Sequence, residues 1–198
     1  MTTPDLFEMR RMETLSNTIF AVAMTLLAYD LPRTGTFAGL PGWADLYRLY
    51  AGKLSALVLS FVIAGLFWFS HHRRLARQPE AGRGVVILNL FFLLSIILLP
   101  VTNGLYGNYG RSGAVAVLYG IHLALIAGLN ALLWWLTRWD DWREIAGAIF
   151  PVLVFVPGIL VAAIFPQYVQ YFWFLAFLAV LVRRSTASRK GEGSAREP

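Results

Sequence analysis

The chain has 198 residues, of which 58% are hydrophobic and only 14% charged, with a net charge of +6 and no cysteine. That balance excludes an ordinary soluble domain, in which about 25% of residues carry charge, and the missing thiols exclude disulfides, thiolate metal sites and cysteine nucleophiles. The basic residues stand beside apolar runs, so lipid headgroups and membrane orientation account for the positive charge better than nucleic acid does.

Six apolar segments follow one another: Ser16 to Leu31, Leu54 to Ser70, Val85 to Val101, Ala114 to Thr137, Ile145 to Phe165 and Tyr168 to Val182. Each is near the length that crosses a hydrocarbon core of about 30 Å as a helix. Continuous apolar runs in lipid favour helices, because a helix satisfies its own backbone polar groups. The expected fold is therefore an all-α membrane protein with six transmembrane helices per subunit over residues 1–184, followed by a polar, disordered tail over 185–198. Arg10 and Arg11 precede a run containing the small triplet Ala21-Val22-Ala23, but the triplet lies inside the run and not after it, where a signal-peptide cleavage site belongs.

Segment one carries Ser16, Asn17, Thr18 and Thr25 inside its apolar run. Thr18, Val22, Thr25 and Tyr29 recur at spacings of four, three and four, with Leu26 beside them, so they share one face of a helix. Such a stripe serves either as a helix-packing seam, the commoner use of small hydroxyls in membranes, or as the lining of a pore. Between segments one and two, Trp43, Leu46, Leu49 and Tyr50 suggest a short interfacial helix in the longest connection on that side. Segment two ends in His71 and His72, which point about 100 degrees apart on a helix and are poorly disposed to share a metal ion. No metal and no cofactor are expected.

Segment three contains Asn89 and approaches Pro100, where the helix is expected to kink or stop. The run Asn103, Gly104, Gly107, Asn108 and Gly110 then reads as a flexible turn. Pro151 and Pro157 are expected to bend segment five. When six helices are threaded, Arg10, Arg11, Arg73, Arg74, Arg77, Arg83, Arg138, Arg143, Arg183 and Arg184 fall on one side. By the positive-inside rule that side, with both termini, is cytoplasmic. No acid, base and nucleophile set is visible, so an enzyme is not expected.

Three stretches in order carry a resemblance: Arg11-Met-Glu-Thr-Leu15-Ser16-Asn17 followed by Ala21-Val22-Ala23-Met24-Thr25-Leu26-Leu27, then "FVIAGLFWFSHHRRL", then "LNLFFLLSIILLPVTNGLYGNYG". Together they resemble the transmembrane protein 175 family, the lysosomal potassium channel and its prokaryotic homologues. The resemblance implies a homotetramer in a cell inner membrane, with the first helix of each subunit lining a central pore. It implies a potassium-selective, leak-like channel that conducts passively, with potassium ions and the lipid bilayer as its partners. Carried over by position, it places the apolar constriction at Val22, Leu26 and Tyr29 and selectivity at Thr25. It likewise places a polar network for assembly at Arg11, Ser16, Asn17, Trp68, His71 and Asn89. Two positions depart from the family's first-helix motif, Leu15 standing for its Phe and Asn17 for its Asp, and Tyr29 is a further departure where the outer pore position is usually aliphatic. The first two departures keep a non-conducting scaffold of the same fold in view, and a small proton-linked transporter is a further alternative disfavoured by the lack of carboxylates inside the segments.

Overall fold

A chain this apolar must satisfy its backbone within each segment, and in a computed structural model its described residues do so mainly as α-helices. The structure describes residues 6–33, 35–37, 39–77, 80–138 and 142–174. Strand β1 (Leu6–Glu8) leads into α1 (Met9–Leu26), followed by α2 (Trp43–Ala76), β2 (Glu80–Gly82), α3 (Arg83–Tyr109), α4 (Gly113–Arg138) and α5 (Trp142–Ile164). Residues 169–174 are helical as well. The expected sixth segment beyond residue 174 and the tail over 185–198 lie outside the described residues.

The all-α expectation needs one correction. β1 and β2 form a two-stranded antiparallel ribbon in which Leu6 faces Gly82 and Glu8 faces Glu80. Three-residue strands carry no periodic signal, so the ribbon was not legible beside the helices. It ties the start of α1 to the short connection between α2 and α3.

Among the described residues four helices, α2 to α5, are long and apolar enough to cross a membrane. α1 has 18 residues and gives its first turns to Arg10, Arg11 and Glu13. One side of α1 is buried through Ser16, Phe20, Ala23 and Leu27, at spacings of four, three and four. Its last turn tightens as Ala28 N–H reaches Thr25 O at 3.2 Å and Tyr29 N–H reaches Leu26 O at 3.0 Å.

α2 has 34 residues and absorbs the segment expected to be a separate interfacial helix. Its start is set after Pro41, where the Gly42 N–H donates to Asp45 Oδ2 at 3.0 Å. No proline interrupts the run from Trp43 to Ala76, so the helix continues without a break. Tyr50 and Lys53 on this added stretch hold the chain leaving α1, donating to Pro32 O at 3.1 Å and Asp30 O at 3.4 Å.

α3 does not stop at Pro100, and residues 103–109 form no turn: the helix runs on to Tyr109. A proline removes one amide donor, and in a membrane bundle neighbouring groups offset that loss. Near the proline, Thr102 Oγ1 donates to Leu99 O at 3.1 Å and His122 Nε2 of α4 lies 3.0 Å from Ser95 O. The glycines that read as a turn are close-approach points. A Cβ on Gly107 would stand 3.4 Å from that of Ala56 on α2, and one on Gly104 would overlap the Asp30 carboxylate.

The interior is a chain of rings. Phe20 and Phe67 lie 6.0 and 6.5 Å from Phe92, Phe155 lies 6.5 Å from Phe67, and Trp173 joins Phe155 at 6.3 Å and Tyr119 at 5.5 Å. By contrast Leu90, Phe91, Leu94 and Ile97 of α3 and Leu153, Val156, Leu160 and Ile164 of α5 are exposed. Bands of that size do not face water on a soluble monomer, and they suit lipid.

Candidate functional site

The side of α1 opposite its buried face holds the stripe read from helical spacing. Val22 is 51% exposed, Leu26 46% and Tyr29 66%. Thr18 and Thr25 are exposed on the same face. Within one subunit the stripe is therefore not a packing seam.

The two threonines have settled hydrogen bonds. Thr18 Oγ1 donates to Thr14 O at 3.0 Å and Thr25 Oγ1 donates to Val22 O at 2.7 Å. Because each hydroxyl proton is taken by the helix itself, the oxygen presents only lone pairs outward. A surface made of apolar side chains and acceptor oxygens can narrow a passage while offering a cation partial replacement for its water.

At the end of the bundle that carries Arg73 and Arg77, α1 is fixed by side chains of α2. His71 and Ser16 are both buried, with Nε2 and Oγ 2.9 Å apart, and Ser16 Oγ donates to Met12 O at 2.7 Å. Arg74 Nη2 lies 3.0 Å from His71 Nδ1 and donates to Asn89 Oδ1 at 2.9 Å. The His71 ring stacks on Phe92 at 5.1 Å. Closer to the surface, Trp68 Nε1 donates to Asn17 Oδ1 at 2.9 Å, and His72 Nδ1 stands 3.1 Å from Glu13 Oε1. Glu144 at the start of α5 pairs with Arg73 and, at 2.9 Å, with Arg77.

The expected polar set is thus split in two. Ser16, His71 and Asn89 meet in a buried group, while Asn17 and Trp68 form an exposed pair beside it. Arg11, expected in the same set, is an exposed residue of the first turn of α1. Sequence reading also missed Arg74, counted among the connecting charges and in fact fully buried. The signal was available: Ser60, Ile63, Phe67, His71 and Arg74 recur at three, four, four and three, the buried face of α2.

At the opposite end, Asn103 of α3 accepts from Ser60 Oγ at 2.7 Å and reaches Leu27 O at the end of α1 at 3.4 Å. Ser60 Oγ also lies 2.6 Å from the Tyr119 hydroxyl. An open groove of about 430 Å³ runs between the end of α1 and α3, lined by residues that include Leu26, Tyr29, Asp30 and Gly104.

These features define a multi-pass helical membrane protein whose first helix is braced on one side and bare on the other. The family model described as the endosomal/lysosomal potassium channel TMEM175 matches residues 11–100. A potassium channel of Streptomyces collinus is 30% identical over 138 residues, covering 66% of each chain. A potassium channel of a Chryseobacterium species is 24% identical over 119 residues, covering 59% of this chain and 58% of that one. The matches thus span 66% and 58% of the length of these relatives. Among solved structures, the TMEM175 homologue of Chamaesiphon minutus, a lysosomal potassium-selective channel homologue, superposes with a TM-score of 0.78 at 20% identity, over 87% of this chain and 96% of that one. A variant of the potassium channel MtTMEM175 in complex with a nanobody fusion gives a TM-score of 0.60 at 14% identity, over 95% and 99%. Over residues 11–100 the chain is thus similar to the TMEM175 potassium-channel family, and it shares the fold of these solved structures.

Proposed function

We propose that this chain is the subunit of a passive, potassium-selective cation channel, a homotetramer in which α1 of each copy turns its bare stripe to a shared axis. The observation that carries this reading is the exposure of Val22, Leu26 and Tyr29 on a helix whose other side is fully engaged. In this arrangement Val22, Leu26 and Tyr29 form the apolar constriction and the acceptor oxygens of Thr25 favour the more easily dehydrated ion. The basic end, with both termini, faces the cytoplasm of a prokaryotic inner membrane.

The scaffold alternative draws on the loss of the motif's Asp at position 17. Asn17 nevertheless accepts the Trp68 indole proton at 2.9 Å, the bond a carboxylate oxygen would accept there, and this favours a working brace. Proton-linked transport finds little support, since among the described residues the helix carboxylates Glu13, Asp45 and Glu144 all lie within five residues of a helix start.

Potassium flux into liposomes containing the purified tetramer tests the reading. Leu26→Ser is expected to raise flux by relieving dewetting, and Thr25→Val to reduce the preference for potassium over sodium. Correctly assembled tetramers that pass no potassium would overturn it.

A further inference from the structure

The buried group at the basic end has a direction. A guanidinium only donates, so the Arg74 Nη2 contact at 3.0 Å makes His71 Nδ1 an acceptor. The proton of the neutral ring then sits on Nε2, facing Ser16 Oγ at 2.9 Å, and Ser16 passes its own proton to Met12 O at 2.7 Å. Both Nη2 protons are used, the second on Asn89 Oδ1 at 2.9 Å. From α1 the ring meets Ser16 and Phe20, from α3 Phe92, and from α2 Arg74 and its neighbour His72. Arg74 is the member of this set that dictates which ring nitrogen carries the proton.

Arg74 is also an expensive choice. It is fully buried, its Nε and Nη1 and the Asn89 Nδ2 have no acceptor, and among the described residues no carboxylate pairs with it. A buried cation of that kind destabilises a core relative to an apolar residue of the same shape, which argues that its value lies in orientation and not in stability.

We propose that Arg74 is a positioning residue for the pore-lining helix: it locks His71 in the Nε2–H form, which holds Ser16 and so fixes the rotation of α1 against α2 and α3. The proposal rests on the reading of α1 as the wall of a channel. Rotation of α1 by a fraction of a turn would move Val22 and Leu26 away from the axis, so the lock sets the conducting geometry.

The test uses the full chain, labelled with 15N-histidine and reconstituted in liposomes, with the His71 signal assigned by its loss in His71→Gln. The wild-type signal is expected to show the Nε2–H tautomer alone. Arg74→Met is expected to show both tautomers and potassium flux lower by about tenfold, the scale of one charge-assisted hydrogen bond. Arg74→Lys, whose ammonium can donate to the same two acceptors, keeps the single tautomer and most of the flux. A single Nε2–H tautomer in Arg74→Met, mixed tautomers with undiminished flux, or a folded Arg74→Lys protein that loses the tautomer would each overturn the proposal. If the wild-type protein passes no potassium, the channel reading fails by itself, and the tautomer comparison still decides whether Arg74 directs His71.

Discussion

The two ends of α1 are held in different ways. At its N-terminal end the helix is continuous with a β-ribbon and is fastened to α2 by two side-chain bonds of 2.9 Å, Ser16 to His71 and Asn17 to Trp68. At its C-terminal end one amide reaches Leu27 O at 3.4 Å, and the Asp30 carboxylate rests against Gly104. The first end is pinned by two short side-chain bonds, one buried and one exposed; the second is steadied by longer bonds to backbone carbonyls, 3.1–3.4 Å, beside an open groove.

The contrast can be broken most severely at the pinned end. Asn89→Leu removes an acceptor from the buried Arg74 and is expected to cost about 3 kcal/mol in unfolding experiments in detergent. At the other end, Gly104→Ala places a Cβ in the space of the Asp30 carboxylate and is expected to cost about 1–3 kcal/mol. Adding Asp30→Ala should recover most of that loss, and a double-mutant cycle that shows no coupling between the two would remove Gly104 from the account. Asn103→Ala frees the end of α1 and leaves Ser60 to Tyr119, at a cost of about 1 kcal/mol. Trp68→Phe deletes one exposed hydrogen bond and should cost less than about 1 kcal/mol. Smallest of all on the stability scale is Val22→Ala, within about 0.5 kcal/mol because the side chain lies outside the subunit core; its effect should appear in flux alone.

Much of this contrast was legible in the sequence where a helical period carried it. The stripe from Thr18 to Tyr29 shares one face of α1 by spacing alone, and Thr18, Val22, Thr25, Leu26 and Tyr29 are all exposed in the structure. The period could not show which neighbour each polar group would meet. Arg74 was hidden by its company: beside Arg73 and Arg77 it looks like one more charge at a membrane boundary, while its i+3 relation to His71 puts it inside. Pro100 misled for the opposite reason. A local rule about helix stopping is strong in water, where a freed segment finds solvent, and weak inside a membrane bundle, where leaving the helix would strand further backbone groups. The start of α2 was missed because interfacial aromatic residues and a continuing helix have the same composition.

The length of α2 has a consequence for the membrane around it. Thirty-four residues rise about 51 Å, against a hydrocarbon core of about 30 Å, so the helix stands well clear of the bilayer on at least one side or leans within it. Its first turn, with Trp43 and Tyr47 exposed and Arg48 bound to Asp45 at 2.8 Å, forms an anchor at the headgroups. Its last turns carry Trp68 and His71, the residues that grip α1. A thicker or thinner bilayer changes the lean of α2, and lipid thickness thereby becomes a mechanical input to the helix that the brace is holding.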